Sequence, residues 1–373
     1  MTRKKMSPQK RKRFALLLTF LVFSLSVLLP LGSYTLHWMG STAVAQEQAA
    51  VNPRSNYWRA VRDGVEGYSS VKGDGANVLV QSNGNEWRNF RNGPLTKILP
   101  WLIVGMLGLL FLYHLFRGRN RLDVRPQGRK VKRWNGFERL VHWVTAISFI
   151  ALAVTGLSML VGKEMLAYFP DMKAGFAAWA GLSIQIHNLV GPVFSVGILI
   201  MIIMWIGHNM PTTVDLDWLA AGGGMFKRNH PSADRMNAGE KIWFWILATV
   251  GVAVCLTGIV MVAPLFGWFL PDYLVGREVM QQATIIHAVL AIIWTAVALG
   301  HIYIGTAGTE GAFEGMATGY VSEEWARQHH DIWYDKVSGE INHRVAAERA
   351  AERAAAERGH TRVDVDLQHR AGT

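Results

Sequence analysis

The chain has 373 residues, half of them apolar, with 15 tryptophans and a formal charge of +11. Several long uncharged runs exclude a soluble multidomain enzyme and point to an integral membrane protein. The basic residues crowd beside those runs, as cytoplasmic membrane flanks do, which argues against a nucleic-acid partner. The single cysteine, Cys255, excludes an internal disulfide, a CxxCH haem attachment and an iron–sulfur cluster held by four thiolates of this chain.

Residues 1–13 are basic and residues 14–31 apolar, and Ala43-Val44-Ala45 fits a small-residue cleavage site. Residues 1–45 therefore read as a secretory signal peptide, with an uncleaved anchor as the alternative. Either way the segment 46–97, polar and rich in Gly and Asn, is expected on the outer side as a cap or docking segment. A first mature span is expected over 98–116. The loop that follows is densely basic, with Asp123 as the one acid in 118–133, and the positive-inside rule places it in the cytoplasm.

That assignment orients everything downstream. A second span over about 137–161 runs outward and carries His142 near its cytoplasmic end. A third, 178–206, returns with His187 in its outer half, and Pro192 is expected to kink it. The fourth, 242–266, lacks histidine. The fifth, 283–305, reads ATIIHAVLAIIWTAVALGHIYIG and holds His287 and His301 without any Lys, Arg, Asp or Glu. Fourteen positions of helix separate these histidines by some 21 Å along the axis and only about 40° around it, so they share a face near opposite membrane surfaces. The tail 306–373 is polar and cytoplasmic, and its AAERAAERAAAERG run, 346–359, favours helix. It reads as a mobile or partner-facing appendage. No repeat of solenoid period is present, and the fold class is an all-α membrane bundle.

An ionisable group at membrane depth is a functional-site hypothesis by default. Depth sorts the four histidines into two pairs, His142 with His301 on the inner side and His187 with His287 on the outer side. Each pair is a candidate bis-histidine haem site, and two such centres would form an electron ladder across the roughly 30 Å bilayer. His114 and His208 read as interfacial residues. Small residues (Gly156, Gly181, Gly191, Gly258, Gly300 and Gly305) stand near the candidate ligands, although glycine is common in membrane helices for close packing alone. Asn237 reads as a helix cap.

Four stretches together resemble the cytochrome b (gamma) subunit of membrane-bound respiratory formate dehydrogenases. They are FERLVHW at 137–143, HNMP at 208–211, NAG at 237–239, and HIYIGTAGTEGAFEGMATGYVSEEWARQHH at 301–330. The resemblance covers about residues 133–335. It implies a four-helix core over 137–305 binding two b haems, the outer held by His187 and His287 and the inner by His142 and His301. It also implies quinone contacts at Asn237, Gly239 and His301. The implied partners are a catalytic alpha subunit and an iron–sulfur beta subunit in the bacterial inner membrane. The region 1–132 and the Ala/Glu-rich tail depart from the shortest members of that family. A diheme subunit of a hydrogenase or other oxidoreductase, and a haem-free membrane anchor, are the rival readings. A histidine-relay transporter would want inverted repeats and broken helices, which the sequence lacks.

Overall fold

A computed structural model describes residues 82–224 and 230–340. The signal-like segment 1–45, most of the segment 46–97 and the 346–359 run lie outside the described residues. Among the described residues, four helical stretches are long and apolar enough to cross a membrane: Gly136–Tyr168, Lys173–His208, Ala238–Val262 and Arg277–Gly308. The chain is a multi-pass, all-α membrane protein. Large apolar side chains stand outward along these stretches, such as Ile147 at 64% exposure and Ile203 at 69%. A surface of that kind suits lipid rather than water.

The described residues divide into two compact units. In the first, α1 (Ser82–Phe90) continues as a π-helical turn, Arg91–Leu95. Thus the end of the segment expected to be an outer cap or docking segment is helical. Next, α2 (Trp101–Arg117) occupies the place of the expected 98–116 span, but at 17 residues it is shorter than the four spans. The long helices are α3 (Gly136–Tyr168) and α4 (Lys173–Trp205). Pro192 lies inside α4, which continues through it as one helix.

Between the spans, α5 (Thr213–Ala220) belongs to the second unit. The third long helix, α6 (Ala238–Val262), contains a π-helical stretch at Leu247–Gly251. A single turn, α7 (Asp272–Val275), precedes α8 (Arg277–Tyr303), the last long helix. Helix α3 packs along α4, α4 on α6, α6 on α8, and α8 on α2.

Glycine allows the closest of these approaches. A Cβ at Gly197 of α4 would overlap the Thr145 hydroxyl of α3, and one at Gly251 would come within 2.8 Å of the Trp294 ring. Small residues at such crossings let membrane helices meet backbone to backbone. The start of α3 is fixed by a capping box. Asn135 Oδ1 accepts from the Phe137 and Glu138 amides at 2.9 and 3.0 Å, and Glu138 Oε2 accepts from the Asn135 amide at 2.8 Å.

The second unit gathers residues 120–134, 207–242 and 309–340. Strand β1 (Lys130–Lys132) pairs antiparallel with β2 (Tyr320–Ser322), Val131 opposite Val321. Short helices α9 (Ala312–Thr318) and α10 (Glu323–His329) flank β2, and residues 331–340 are again helical. Val131, Val321, Trp325, Ala326 and Trp333 form its core. The tail is therefore no appendage as far as residue 340. It supplies most of a core that also recruits the basic loop.

Two cations of this unit, Arg133 and Lys241, are buried with partners. Arg133 donates to Glu240 Oε1 at 2.8 Å and to the Arg235 carbonyl at 3.0 Å, with its guanidinium 4.6 Å from the centre of the Trp325 ring. Lys241 and Asp215 pair at 2.7 Å, their side chains 7% and 13% exposed. Breaking such a pair from one side costs about 3–5 kcal/mol, because the other charge is left buried alone.

Candidate functional site

The four membrane histidines meet as two pairs within the first unit. His142 of α3 and His301 of α8 have ring centres 6.5 Å apart. His187 of α4 and His287 of α8 have ring centres 6.2 Å apart. An imidazole nitrogen sits about 2.0–2.1 Å from a bound first-row metal. A five-membered ring of roughly 1.35 Å bonds has its centre about 1.1 Å behind each atom. Two imidazoles on opposite sides of one metal thus have centres roughly 6.3 Å apart. Both pairs match that separation.

Hydrogen bonds fix which nitrogen is available at the second pair. His287 Nδ1 lies 3.0 Å from the Val254 carbonyl, which can only accept, so Nδ1 carries the proton. At His187 the partner is Thr155 Oγ1, 2.9 Å away. That hydroxyl already donates to the Ala151 carbonyl at 2.7 Å, so it accepts from His187 Nδ1. Thr257 stands to His287 as Thr155 does to His187, 3.2 Å from Nδ1 while donating to Ala253 at 2.8 Å. Both rings are left with a Nε2 lone pair directed away from their anchors. Outer-shell bonds of this kind set tautomer and orientation in metal-binding histidines.

Glycines complete the clamp. A Cβ at Gly156 would fall 3.1 Å from His187 Cε1, and one at Gly258 would fall 3.2 Å from His287 Cε1. Two of the small residues singled out in the sequence therefore stand against imidazole rings. Gly181, Gly191, Gly300 and Gly305 face open space.

The first pair is built differently. Trp243 of α6 stacks on His301 with ring centres 4.6 Å apart and planes 7° from parallel. His142 Nδ1 is buried without a hydrogen-bond partner among the described residues. Between the two levels lies an aromatic layer. Trp294, seven residues from each α8 histidine, contacts Phe149 at 5.3 Å, Phe194 at 5.6 Å and Trp243 at 6.5 Å. Gly251 makes room for the Trp294 ring. Thr155, Thr257, Trp243 and Trp294 were not legible as site residues in the sequence.

His114 and His208 do not join either pair. His114 Nδ1 bonds the Tyr303 hydroxyl at 2.9 Å, and His208 Nε2 lies 3.0 Å from Arg235 Nη1. Asn237 is a helix cap, its Oδ1 accepting from the Glu240 amide at 2.9 Å and its amide donating to Glu240 Oε2 at 3.0 Å. At Gly239 a Cβ would come 3.0 Å from the Trp218 ring and 3.3 Å from Asn237 Oδ1, so a side chain there would press on both.

No three His, Cys, Asp or Glu side chains converge among the described residues, so a zinc or copper centre of three or four protein ligands has no ligand set there. Paired neutral imidazoles suit haem iron, whose remaining ligands come from the macrocycle.

The known proteins similar to this chain are cytochromes b. The prokaryotic cytochrome b561 family matches residues 133–319, half of the chain. The nitrate-inducible formate dehydrogenase cytochrome b556(Fdn) subunit of Escherichia coli (strain K12) is 27% identical over 221 residues, covering 57% of this chain and 93% of that protein. A second protein of the same strain, the formate dehydrogenase cytochrome b556(fdo) subunit, is 28% identical over 211 residues, covering 56% and 93%. The formate dehydrogenase cytochrome b556 subunit of Haemophilus influenzae is 27% identical over 206 residues, covering 52% and 79%. The match takes in the four long helices and all four paired histidines, and the chain belongs to the prokaryotic cytochrome b561 family.

Proposed function

We propose that this chain is the membrane electron-transfer subunit of a formate dehydrogenase complex in the bacterial inner membrane. It passes electrons from a periplasmic iron–sulfur partner, itself reduced by a catalytic alpha subunit, to quinone reduced near the cytoplasmic side. The observation that carries the reading is the pair of facing imidazoles at each of two levels of α8. The names of the curated relatives support the choice of formate over hydrogen as electron source. The basic loop 118–133 supports the orientation, with segment 46–97 periplasmic and the tail cytoplasmic.

In this reading His187 and His287 hold the outer haem b, and His142 and His301 hold the inner one. When bound, haem supplies a one-electron centre at each level. The protein contributes the rest. Thr155, Thr257 and the Val254 carbonyl keep the proton on Nδ1 and leave Nε2 free to ligate, and Trp243 fixes the plane of His301. The aromatic layer around Trp294 excludes water between the levels.

Following the resemblance, Asn237, Gly239 and His301 contact quinone. The cap uses Asn237 Oδ1 and its backbone amide. The Nδ2 group has no acceptor among the described residues and can donate to a quinone carbonyl. Capping and quinone binding are thus compatible roles for one residue.

A pyridine haemochrome assay on the purified complex tests the core of the reading. Two b haems per copy of this chain are expected, with one lost in His187→Ala and the other in His142→Ala. No haem in the intact complex would leave a membrane anchor as the function.

A further inference from the structure

The second unit contains a row of imidazoles and carboxylates that electron transfer does not require. It begins at solvent, where Asp123, its side chain 62% exposed, lies 2.9 Å from His230 Nε2. The His230 ring meets His329 edge-on, with centres 5.9 Å apart. His329 Nε2 is buried and has no hydrogen-bond partner among the described residues. The next residue, His330, is 1% exposed and donates from Nδ1 to the Asp234 carbonyl at 2.7 Å. Because a carbonyl can only accept, the free nitrogen of His330 is Nε2, and it stands 3.8 Å from Glu240 Oε2. Glu240 Oε2 in turn accepts from the Asn237 amide at 3.0 Å.

We propose that Asp123, His230, His329, His330 and Glu240 form a proton-uptake path from solvent to the Asn237 cap, where it feeds quinone reduction. The proposal rests on the quinone reading of Asn237 given above. Reducing one quinone to quinol consumes two electrons and two protons and forms two O–H bonds. The electrons come from the haem ladder. Each proton leaves bulk water at Asp123 or His230, passes His329, is taken up and released at His330 Nε2 because Nδ1 stays on the Asp234 carbonyl, and is handed by Glu240 to a carbonyl-derived oxygen. His330 then reprotonates Glu240 for the second transfer. None of the three steps from His230 to His329, His329 to His330 and His330 to Glu240 is a direct hydrogen bond among the described residues, and each needs a bridging water.

The surroundings favour transit over storage. Burial, the neighbouring His230 and the Arg133 guanidinium hold His329 down to about 4, against the pull of Glu240 and Asp123. Burial and Arg133 also keep His330 well below its usual range, with the Asp234 carbonyl and Asp331 opposing. About one His329 in a thousand is then protonated at pH 7, so the imidazole accepts a proton on one nitrogen only as it releases one from the other. A packing role alone accounts for His330, whose ring lies 4.9 Å from Trp325. It does not account for a buried His329 Nε2 left without a partner among the described residues, which ordinarily carries a cost.

The test uses the purified complex with its haems pre-reduced by dithionite and then mixed with a short-chain naphthoquinone. Reoxidation of haem b is followed in stopped flow from pH 6 to pH 9. His329→Gln and His230→Gln should keep both haems and slow reoxidation roughly 10²-fold, the low end of a positioned proton donor's contribution. The slowing should steepen as pH rises, and added imidazole should restore the rate in His329→Gly. Unmodified rates and pH profiles in both glutamine variants would overturn the proposal. A uniform loss, with an unchanged pH profile and no imidazole rescue, would overturn it in favour of a packing role. If the unmodified complex with reduced haem fails to reduce quinone at all, the quinone reading falls and takes the path with it.

Discussion

Gly156→Ala places a methyl group where the His187 ring stands, 3.1 Å from Cε1 and 3.6 Å from Nδ1. Carbon atoms pack best about 3.5–4.0 Å apart, so the ring must retreat by about half an ångström. It is not free to do so. Its Nδ1 is tied at 2.9 Å to Thr155, which is 2% exposed and bonded back to its own helix. Losing that bond costs the fold about 1 kcal/mol, and replacing glycine by alanine within a helix returns up to about 1 kcal/mol. The folded protein should therefore be almost as stable as before. With His187 as the proposed haem ligand, it is haem binding that should suffer, since disturbing an outer-shell partner typically costs about 10–100-fold in metal affinity or activity.

The assay is haem b per chain together with a redox titration of both centres. Gly156→Ala and Gly258→Ala act on facing rings and should weaken the same haem, leaving the His142–His301 centre at its normal potential. Gly175→Ala, on α4 but facing open space, is the control and should behave as the unmodified protein does. Two haems at unshifted potentials in Gly156→Ala would refute the clamp, as would an equal loss in Gly175→Ala.

Three further outcomes are expected. Trp243→Leu removes the ring stacked 4.6 Å from His301 and should shift the potential of the His142–His301 haem alone; redox titration with both potentials unmoved would exclude a tuning role. Asp215→Asn leaves Lys241 buried without its 2.7 Å partner and should cost about 3–5 kcal/mol, read as faster proteolysis within residues 207–242; unchanged protection would mean the pair contributes little. The second unit should loosen as pH falls from about 6.5, the ordinary histidine value, toward the folded value of about 4 for His329. In that window the unfolded chain binds more protons than the folded one, so stability is lost with acid, by roughly 3 kcal/mol for this one group. Hydrogen exchange at residues 309–340 that stays flat from pH 7 to pH 4 would contradict the assignment.

The long helices and the histidine partners were legible because both are written in strong signals. Runs of more than 20 apolar residues admit few other readings, and the 14-residue interval between His287 and His301 is nearly a whole number of helical turns. The second unit was not legible. Its core residues Val131, Val321, Trp325 and Trp333 fall in short stretches without a sustained apolar period, and β1 and β2 are three residues each, joined across about 190 positions. No local periodicity reveals such a pairing. The histidines at 329 and 330 passed as part of a family signature, and only their burial gives them a chemical role.

The clamp residues were hidden for a different reason, which a longer ruler exposes. Asn135, Glu138, Thr155 and Gly156 recur as Asn237, Glu240, Thr257 and Gly258, each pair 102 positions apart. Each set begins a membrane helix with an Asn/Glu capping box and then presents a Thr-Gly step to a histidine on another helix. The His187–His287 site is therefore made by two copies of one device. The His142–His301 site is not, because the position matching His142 is Phe244, a buried apolar residue. Likewise, the residue fourteen beyond His187 is Met201, also buried, where α8 has His301. One site keeps the symmetry of the repeat while the other takes a single histidine from each half. That difference explains why Thr-Gly steps anchor the first, whereas a stacked tryptophan on one side and an Nδ1 without a hydrogen bond among the described residues on the other mark the second.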